Sequence, residues 1–454
     1  MEGGLTDGAA DLSCWWTTFN DPVLDSLIER AVRANHDVRM AEARLRQSRA
    51  KRRAAAADFW PTANASASYS RQRISENTSI AGLVGGLSGG GSPTVMADPP
   101  GSASGSLPAG LPFESNLFQE GYDASWEIDV FGGRRRALEA ADADQAADEE
   151  ARRDTLVSLL AEVARNYIEL RGLQQRLAIS RKTIASQQET LELTRQRFDA
   201  ALASDLDVAQ AEAQWAGTQS QVPALEASIR QAIHQLSVLL ALPPGALWEE
   251  LSPESPLPDA PPEVPLGLPS DLLRRRPDVR QAERQLASAT AQIGVQVAEL
   301  YPKFSLTGSV GFQSQDIGNL FTGPSRYFSV GPTVRWHIVD AGKIQSQVRV
   351  REAMRDEALA RYEKTVLVSL QEVEDAMAAC TTEQTRRQSL LRQVASSERA
   401  LAIATDRYTQ GLGGFLDVLI SQRSLYQAQD QLAQSEKNLR SNVIVLYKAL
   451  GGGW

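Results

Sequence analysis

The stretch Phe118-Gln-Glu-Gly-Tyr-Asp-Ala-Ser-Trp-Glu-Ile-Asp-Val130 alternates. Its even positions are Phe118, Tyr122, Ala124, Trp126, Ile128 and Val130, with Glu120 the exception. Its odd positions are Gln119, Gly121, Asp123, Ser125, Glu127 and Asp129. A period of two with one apolar side predicts a β-strand with a dry face and a wet face. Three further segments alternate in the same way. Phe304 to Phe312 and Phe328 to Ile338 do so strongly, and Thr62 to Tyr69 more weakly. Their lengths and terminal aromatics fit tilted strands of a membrane β-barrel. A soluble antiparallel sheet would alternate too. Four strands cannot close a barrel, which needs at least eight, and an open sheet in lipid leaves backbone groups unpaired. A membrane reading therefore requires several chains. Two would supply eight strands and three would supply twelve, and strand physics alone leaves both open.

Around these strands the chain repeats itself. Arg197-Phe-Asp-Ala-Ala-Leu-Ala-Ser-Asp-Leu-Asp-Val208 matches Arg407-Tyr-Thr-Gln-Gly-Leu-Gly-Gly-Phe-Leu-Asp-Val418 at an offset of 210 residues. Phe59-Trp60-Pro61 parallels Leu300-Tyr301-Pro302. Trp126 to Arg134 parallels Trp336 to Lys343 with one gap. Each half reads helix, strand, loop, strand, long helix, turn, long helix. The expected organisation is an N-terminal segment and first helix (1–58), a strand pair with a long outer loop (59–131), and a first long helix pair (132–242). A Pro-rich belt (243–269), a helix (270–300), a second strand pair (301–340) and a second long helix pair (341–454) follow. The stretch Gln72 to Leu117 is rich in Gly, Ser and Pro, which suits a solvated loop; Ser314 to Ser325 forms a shorter one.

The long helices carry a seven-residue seam. One runs Leu156, Val163, Leu170, Leu177, Ile184, Leu191, Phe198. Its counterpart runs Val366, Val373, Cys380, Arg387, Val394, Leu401, Tyr408, broken only by Arg387. The partner helices repeat it through Val208, Trp215, Val222, Ile229, Leu236 and through Val418, Leu425, Leu432, Leu439, Leu446. A strict period of seven predicts coiled-coil-like packing. Helices of about 50 residues would reach about 75 Å, and Pro223 predicts a kink.

Composition excludes several classes. The net charge of −9 gives a nucleic-acid partner no electrostatic support. Two cysteines and three scattered histidines show no metal spacing. No phosphate loop, nucleophile elbow or ligand cluster is present, so neither catalysis nor a cofactor is expected. No run approaches the ~20 apolar residues of a spanning helix. The polar start has no apolar leader segment, which points to a sequence that begins after signal removal. Leu12-Ser13-Cys14 is a partial lipobox without that leader, so Cys14 reads as an ordinary cysteine.

These residues resemble the TolC superfamily, closest to its OprM/NodT branch. The matching motifs are Trp16-Thr-Thr-Phe-Asn-Asp-Pro22, Trp126 to Gly132, Leu272-Leu-Arg-Arg-Arg-Pro-Asp-Val279, Tyr301-Pro302, Asp340-Ala-Gly342, Leu416-Asp-Val-Leu419 and the terminal Leu446 to Trp454. The resemblance implies a homotrimer in outer-membrane lipid, with a twelve-stranded barrel above a long periplasmic α-helical barrel. It implies a periplasmic adaptor and an inner-membrane pump, most often of the resistance-nodulation-division kind, and export of drugs or other small toxic compounds. Many members of the branch carry an acylated N-terminal cysteine; here Cys14 stands close to Trp16. By motif, the periplasmic gate falls on Leu416, Asp417 and Ile420, with locking contacts from Asp207 and Tyr408. A Tyr408 hydroxyl bond to Asp207 or nearby backbone is the expected lock. The family often has a second acid where this chain has Ile420, and an arginine near Gly413. Both departures favour an apolar constriction from Leu416 and Ile420. Asp205 and Asp207 also suit a helix start, and Tyr408 also continues the seam. Rival readings are a duct for polypeptide secretion and, outside transport, a soluble coiled-coil scaffold.

Overall fold

The computed structural model describes residues 4–6, 12–73, 114–259, 263–265 and 274–454; for 4–6 and 263–265 only the backbone is considered. The chain divides into two compact units. One comprises residues 1–52, 139–292 and 350–454, and the other 53–138 and 293–349.

The second unit holds a four-stranded antiparallel sheet in the order β2 (Thr62–Arg73), β3 (Glu114–Ile128), β5 (Lys303–Ser314), β6 (Arg326–Arg335). Two short strands elsewhere, β1 (Gly4–Thr6) and β4 (Glu263–Pro265), pair in parallel, and β4 lies inside the stretch expected to be an extended belt. The register puts Ala65, Tyr122, Val310 and Phe328 in one row, and Ala63, Ala124, Gly308 and Val330 in the next. Successive rows alternate with Asn64, Asp123, Ser309, Ser329 and with Thr62, Ser125, Thr307, Gly331 on the other face. Among the described residues the apolar face is left exposed: Phe328 is 82% exposed and Val330 70%. From Phe118 to Ile128 the band spans about 34 Å of strand, or roughly 26 Å of depth at a ~40° tilt. On the polar face Gly121 and Gly311 stand opposite each other. A Cβ on Gly311 would run into the Glu120 carbonyl, and the Tyr327 hydroxyl lies over Gly121 and accepts from Gln119 Nε2 at 3.0 Å.

Strand ends differ from the sequence expectation. β3 starts at Glu114 and stops at Ile128 instead of Val130, because Asp129 turns to cap the next helix. β6 stops at Arg335 instead of Ile338. The edge of the expected long loop belongs to the strands, through Arg73 and from Glu114; its remainder, 74–113, lies outside the described residues. Two tryptophans pin the strands to the ends of the preceding helices. Trp126 Nε1 donates to the Phe59 carbonyl at 2.8 Å, and Trp336 Nε1 to the Leu300 carbonyl at 3.0 Å.

The helices are α1 (Pro22–Ala34), α2 (His36–Ala57), α3 (Gly133–Asp199), α4 (Asp205–Gln219), α5 (Val222–Leu239), the short α6 (Trp248–Leu251), α7 (Pro277–Ala298), α8 (Lys343–Thr409) and α9 (Phe415–Ala449). The first helical segment is thus two helices. Asn35 breaks it, accepting from the Asp37 and Val38 backbone N–H groups. α3 and α8 are 67 residues each, about 100 Å, longer than the repeat spacing suggested. Asp129 accepts from the Arg134 and Arg135 backbone N–H groups at the start of α3, and Asp340 from Ile344 at the start of α8. Pro223 sits in the first turn of α5, and the expected kink is a full break at Ser220–Gln221. The equivalent α9 runs 35 residues without interruption.

Ion pairs order the helices of the first unit. Lys437 meets Glu169 at 2.7 Å and Arg176 meets Asp430 at 2.6 Å, so α9 lies antiparallel on α3. Arg181–Glu226 and Arg195–Glu212 set α5 and α4 along α3. Arg387, the break in the seam, reaches Glu436 at 3.4 Å and joins α8 to α9. The seam itself is buried at Val163, Leu170, Leu177, Leu191, Val373 and Cys380. Phe198, at its end, is 42% exposed. The core gathers Trp15, Phe19, Leu24, Ile28, Tyr167, Ile233, Leu236 and Tyr447, with Trp15 stacked on Tyr447 at 5.2 Å.

Candidate functional site at the hairpin turns

Every candidate site residue falls at the two turns joining α3 to α4 and α8 to α9. The two turns fold alike. Ala201 N–H donates to the Phe198 carbonyl at 2.8 Å, and Leu202 N–H to Arg197 at 2.7 Å. In the second turn Gly411 N–H donates to Tyr408 at 3.0 Å, and Leu412 N–H to Arg407 at 2.8 Å. Each pair of bonds closes the last carbonyls of a long helix around a residue of positive φ. That residue is Ala201 (φ 60°) in one turn and Gly411 (φ 75°) in the other. The Cβ makes the first of these costlier, by roughly 1 kcal/mol.

The following helix starts differ, and the difference sorts the acids. Ser204 caps α4 in a reciprocal box: its hydroxyl accepts from Asp207 N–H at 3.2 Å, while Asp207 Oδ2 accepts from Ser204 N–H at 2.9 Å and from its hydroxyl at 2.8 Å. Asp207 is therefore spent on its own helix. In the second turn the cap is Gly414, which offers no side chain. The Asp417 carboxylate is left exposed and without a hydrogen-bond or ion-pair partner among the described residues. Beside it, Leu416 is 54% exposed and Ile420 58%. They lie one helical turn apart on a face opposite to Phe415 and Val418, which are buried.

Tyr408 is also buried, its ring edge-on to Phe415 at 5.7 Å, in a small core with Leu191, Ala211 and Val418. Its hydroxyl has no hydrogen-bond partner among the described residues. The expected bond to Asp207 is absent: one group is capping a helix and the other is enclosed in the core. The contact that joins the two turns is one the sequence reading missed. Arg197 Nη1 donates to the Tyr408 carbonyl at 2.8 Å and the Thr409 carbonyl at 3.3 Å, and its guanidinium lies 4.6 Å over the Tyr408 ring. A cation on the open carbonyls at a helix C-terminus is favoured by hydrogen bonding and by the helix dipole. The available signal was that both copies of the repeated motif begin with arginine. Arg407 spends itself on its own turn, at the Leu412 carbonyl.

Among the described residues no group of three His, Cys, Asp or Glu side chains could hold a metal ion, and no helix is long and apolar enough to cross a membrane. What the site offers is an exposed apolar pair, a free carboxylate and a clamp between two helix ends.

The family model described as outer membrane efflux protein matches residues 27–242 and 268–452. The toluene efflux pump outer membrane protein TtgC of Pseudomonas putida is 32% identical over 99% of this chain and 87% of its own length. The nodulation protein T of Rhizobium leguminosarum bv. trifolii is 30% identical over 100% of this chain and 91% of its own. The solved outer-membrane channel OprN superposes with a TM-score of 0.87 at 36% identity, over 99% of this chain and 94% of that one.

Proposed function

Because this chain belongs to the outer membrane efflux protein family and is an outer-membrane exit duct of an efflux system, extending into the periplasm, we propose that it works as a homotrimer. The carrying observation is a four-stranded sheet that is apolar and exposed on one face and, among the described residues, unpaired at both edges. In lipid each unpaired backbone group costs several kcal/mol. The sheet is antiparallel throughout, so β6 of one copy meets β2 of the next antiparallel, and a ring of copies closes. Two copies would give eight strands and a lumen filled by side chains; three give twelve and an open passage. The helices support the same closure. α8 buries seven of its residues against 21 in α3, and it leaves Leu367, Leu391 and Ile403 exposed. A neighbouring copy completes its packing. The equal lengths of α3 and α8, the matched turn bonds and the paired tryptophan clamps support an internal duplication.

The chain works as a passive duct and not as an enzyme. An inner-membrane pump, working through a periplasmic adaptor, supplies the energy. Its cargo is small toxic compounds, in keeping with a relative named for toluene efflux. Leu416, Asp417 and Ile420 form the constriction, since they are exposed while their neighbours are buried. Three copies of Asp417 would repel bulky anions, and the leucine and isoleucine would narrow the passage. Arg197 locks the closed form through the end of α8, with Tyr408 as the packed post it holds; Asp207 contributes by fixing the start of α4.

Native mass in detergent tests the assembly. The expected value with the micelle removed is about 148 kDa, three times 49.4 kDa. A monomer or dimer that stays dissolved in plain buffer would refute the duct.

A further inference from the structure

The strands β2, β3, β5 and β6 bring Thr62, Ile128, Lys303 and Arg335 to one edge of the sheet. At that edge the apolar face ends in aromatics. Phe131 stacks on Tyr301 at 4.6 Å and lies 6.4 Å from Phe304, and Trp60 is 75% exposed. Just past the end of β6, Val339 is 89% exposed. Aromatics closing an apolar band mark the level where hydrocarbon gives way to headgroups.

Cations follow directly, and they divide into two sets. Arg134 is neutralised by Asp58 at 3.1 Å and Glu127 at 3.2 Å, Arg135 by Asp129 at 3.2 Å, and Lys303 by Glu299 at 2.6 Å. The side chains of Arg53, Lys343 and Arg349 have no carboxylate or hydrogen-bond partner among the described residues, and all three are exposed; Arg335 is likewise unpaired and exposed, but its register opposite Lys303 puts it on the polar face of the sheet. Arg53 stands in the last turns of α2 before Trp60. Lys343 opens α8 just after Val339, and Arg349 follows about 9 Å further along that helix. A headgroup layer is about 5–7 Å deep on each side of the hydrocarbon, and long basic side chains reach toward it while their stems cover apolar surface.

We propose that Arg53, Lys343 and Arg349 form a collar that holds anionic phospholipid headgroups of the leaflet facing the periplasm. This rests on the membrane-duct reading. Exposed apolar side chains beside unpaired cations match an amphiphile: acyl chains against Trp60 and Val339, phosphate against the cations. A soluble phosphate compound would leave the apolar half of this surface in water.

The test places the full-length chain in nanodiscs of phosphatidylethanolamine with a minor fraction of phosphatidylglycerol. Lipid retained by the released protein is then counted by native mass spectrometry. The expected result is enrichment of phosphatidylglycerol over the bulk ratio, falling roughly fivefold for each cation replaced in Arg53→Gln, Lys343→Gln and Arg349→Gln. It should be restored by Arg53→Lys and weakened by high salt. Added glycerol 3-phosphate should displace none of it. Retention at the bulk ratio, or enrichment unchanged in the triple variant, overturns the collar while leaving a membrane-inserted duct intact. A chain that does not float with vesicles overturns the duct reading and the collar together.

Discussion

Asp154 is a half-buried carboxylate on α3 whose side chain has no hydrogen bond among the described residues. Burial pushes its pKa up, and Asp278 and Glu372 push the same way, against Lys448 and Arg276. A carboxyl whose pKa is raised by folding penalises the ionised native state. Asp154→Asn should therefore raise the thermal midpoint at neutral pH. The gain should vanish as the pH falls below the unfolded value of ~3.9, where the acid is protonated in both states. A midpoint that does not move at pH 7 would show that the nearby cations already balance the charge. The two cysteines make a second residue-level contrast. Burial in the seam pushes the Cys380 thiol up to about 11, while Cys14 is exposed. A maleimide at pH 7 should label one site per folded chain, at Cys14, and a second only on unfolding. Labelling of Cys380 in the folded protein would mean that the α8 seam opens.

At the scale of elements, matching sequences gave matching turns, and single substitutions inside them set the roles. Ser204 against Gly414 is the difference between an acid tied into a cap and one left free. Arg197 against Arg407 is the difference between a clamp on the neighbouring helix end and a local turn bond. Removing the clamp takes away two hydrogen bonds from a charged donor, worth about 1.5–3 kcal/mol together with a smaller cation–π contribution. Arg197→Ala should raise single-channel conductance in planar bilayers by favouring the open form. Leu416→Ala combined with Asp417→Ala should raise it through the constriction itself and shift selectivity away from cations. Conductance identical to wild type in the double variant would remove the gate from these residues.

At the scale of the whole molecule, the two faces of the sheet should respond differently to the same charge. Val330 lies in mid-band on the apolar face, and Ser329 lies next to it on the other. An arginine on the lipid face near mid-depth costs about 2–4 kcal/mol per copy. Val330→Arg should lower the urea midpoint for the vesicle-inserted protein markedly, and Ser329→Arg should change it little. Equal effects at the two positions would contradict the assignment of faces. The ring closure proposed above would make assembly and insertion one event, because neither sheet edge would enter lipid alone.

The strand and helix classes were legible from periodicity alone, because a period of two and a period of seven each demand one geometry. The matched motifs 210 residues apart were legible too, and both fold into like turns around Ala201 and Gly411. Element ends were not, because Asp129, Asn35 and Ser204 act by capping a neighbour whose position is set in three dimensions. Resemblance assigned Asp207 to the lock and Asp417 to the gate, but the two occupy the same place in the matched motifs, and the residue pattern alone does not show which carboxylate is free. Only the folded turn shows that one carboxylate is held by Ser204 and the other is free. The Arg197 clamp was hidden for the same reason: it joins residues more than 200 positions apart. Periodicity reports what each segment buries, whereas the partner of a single polar side chain is decided only when the helices have packed.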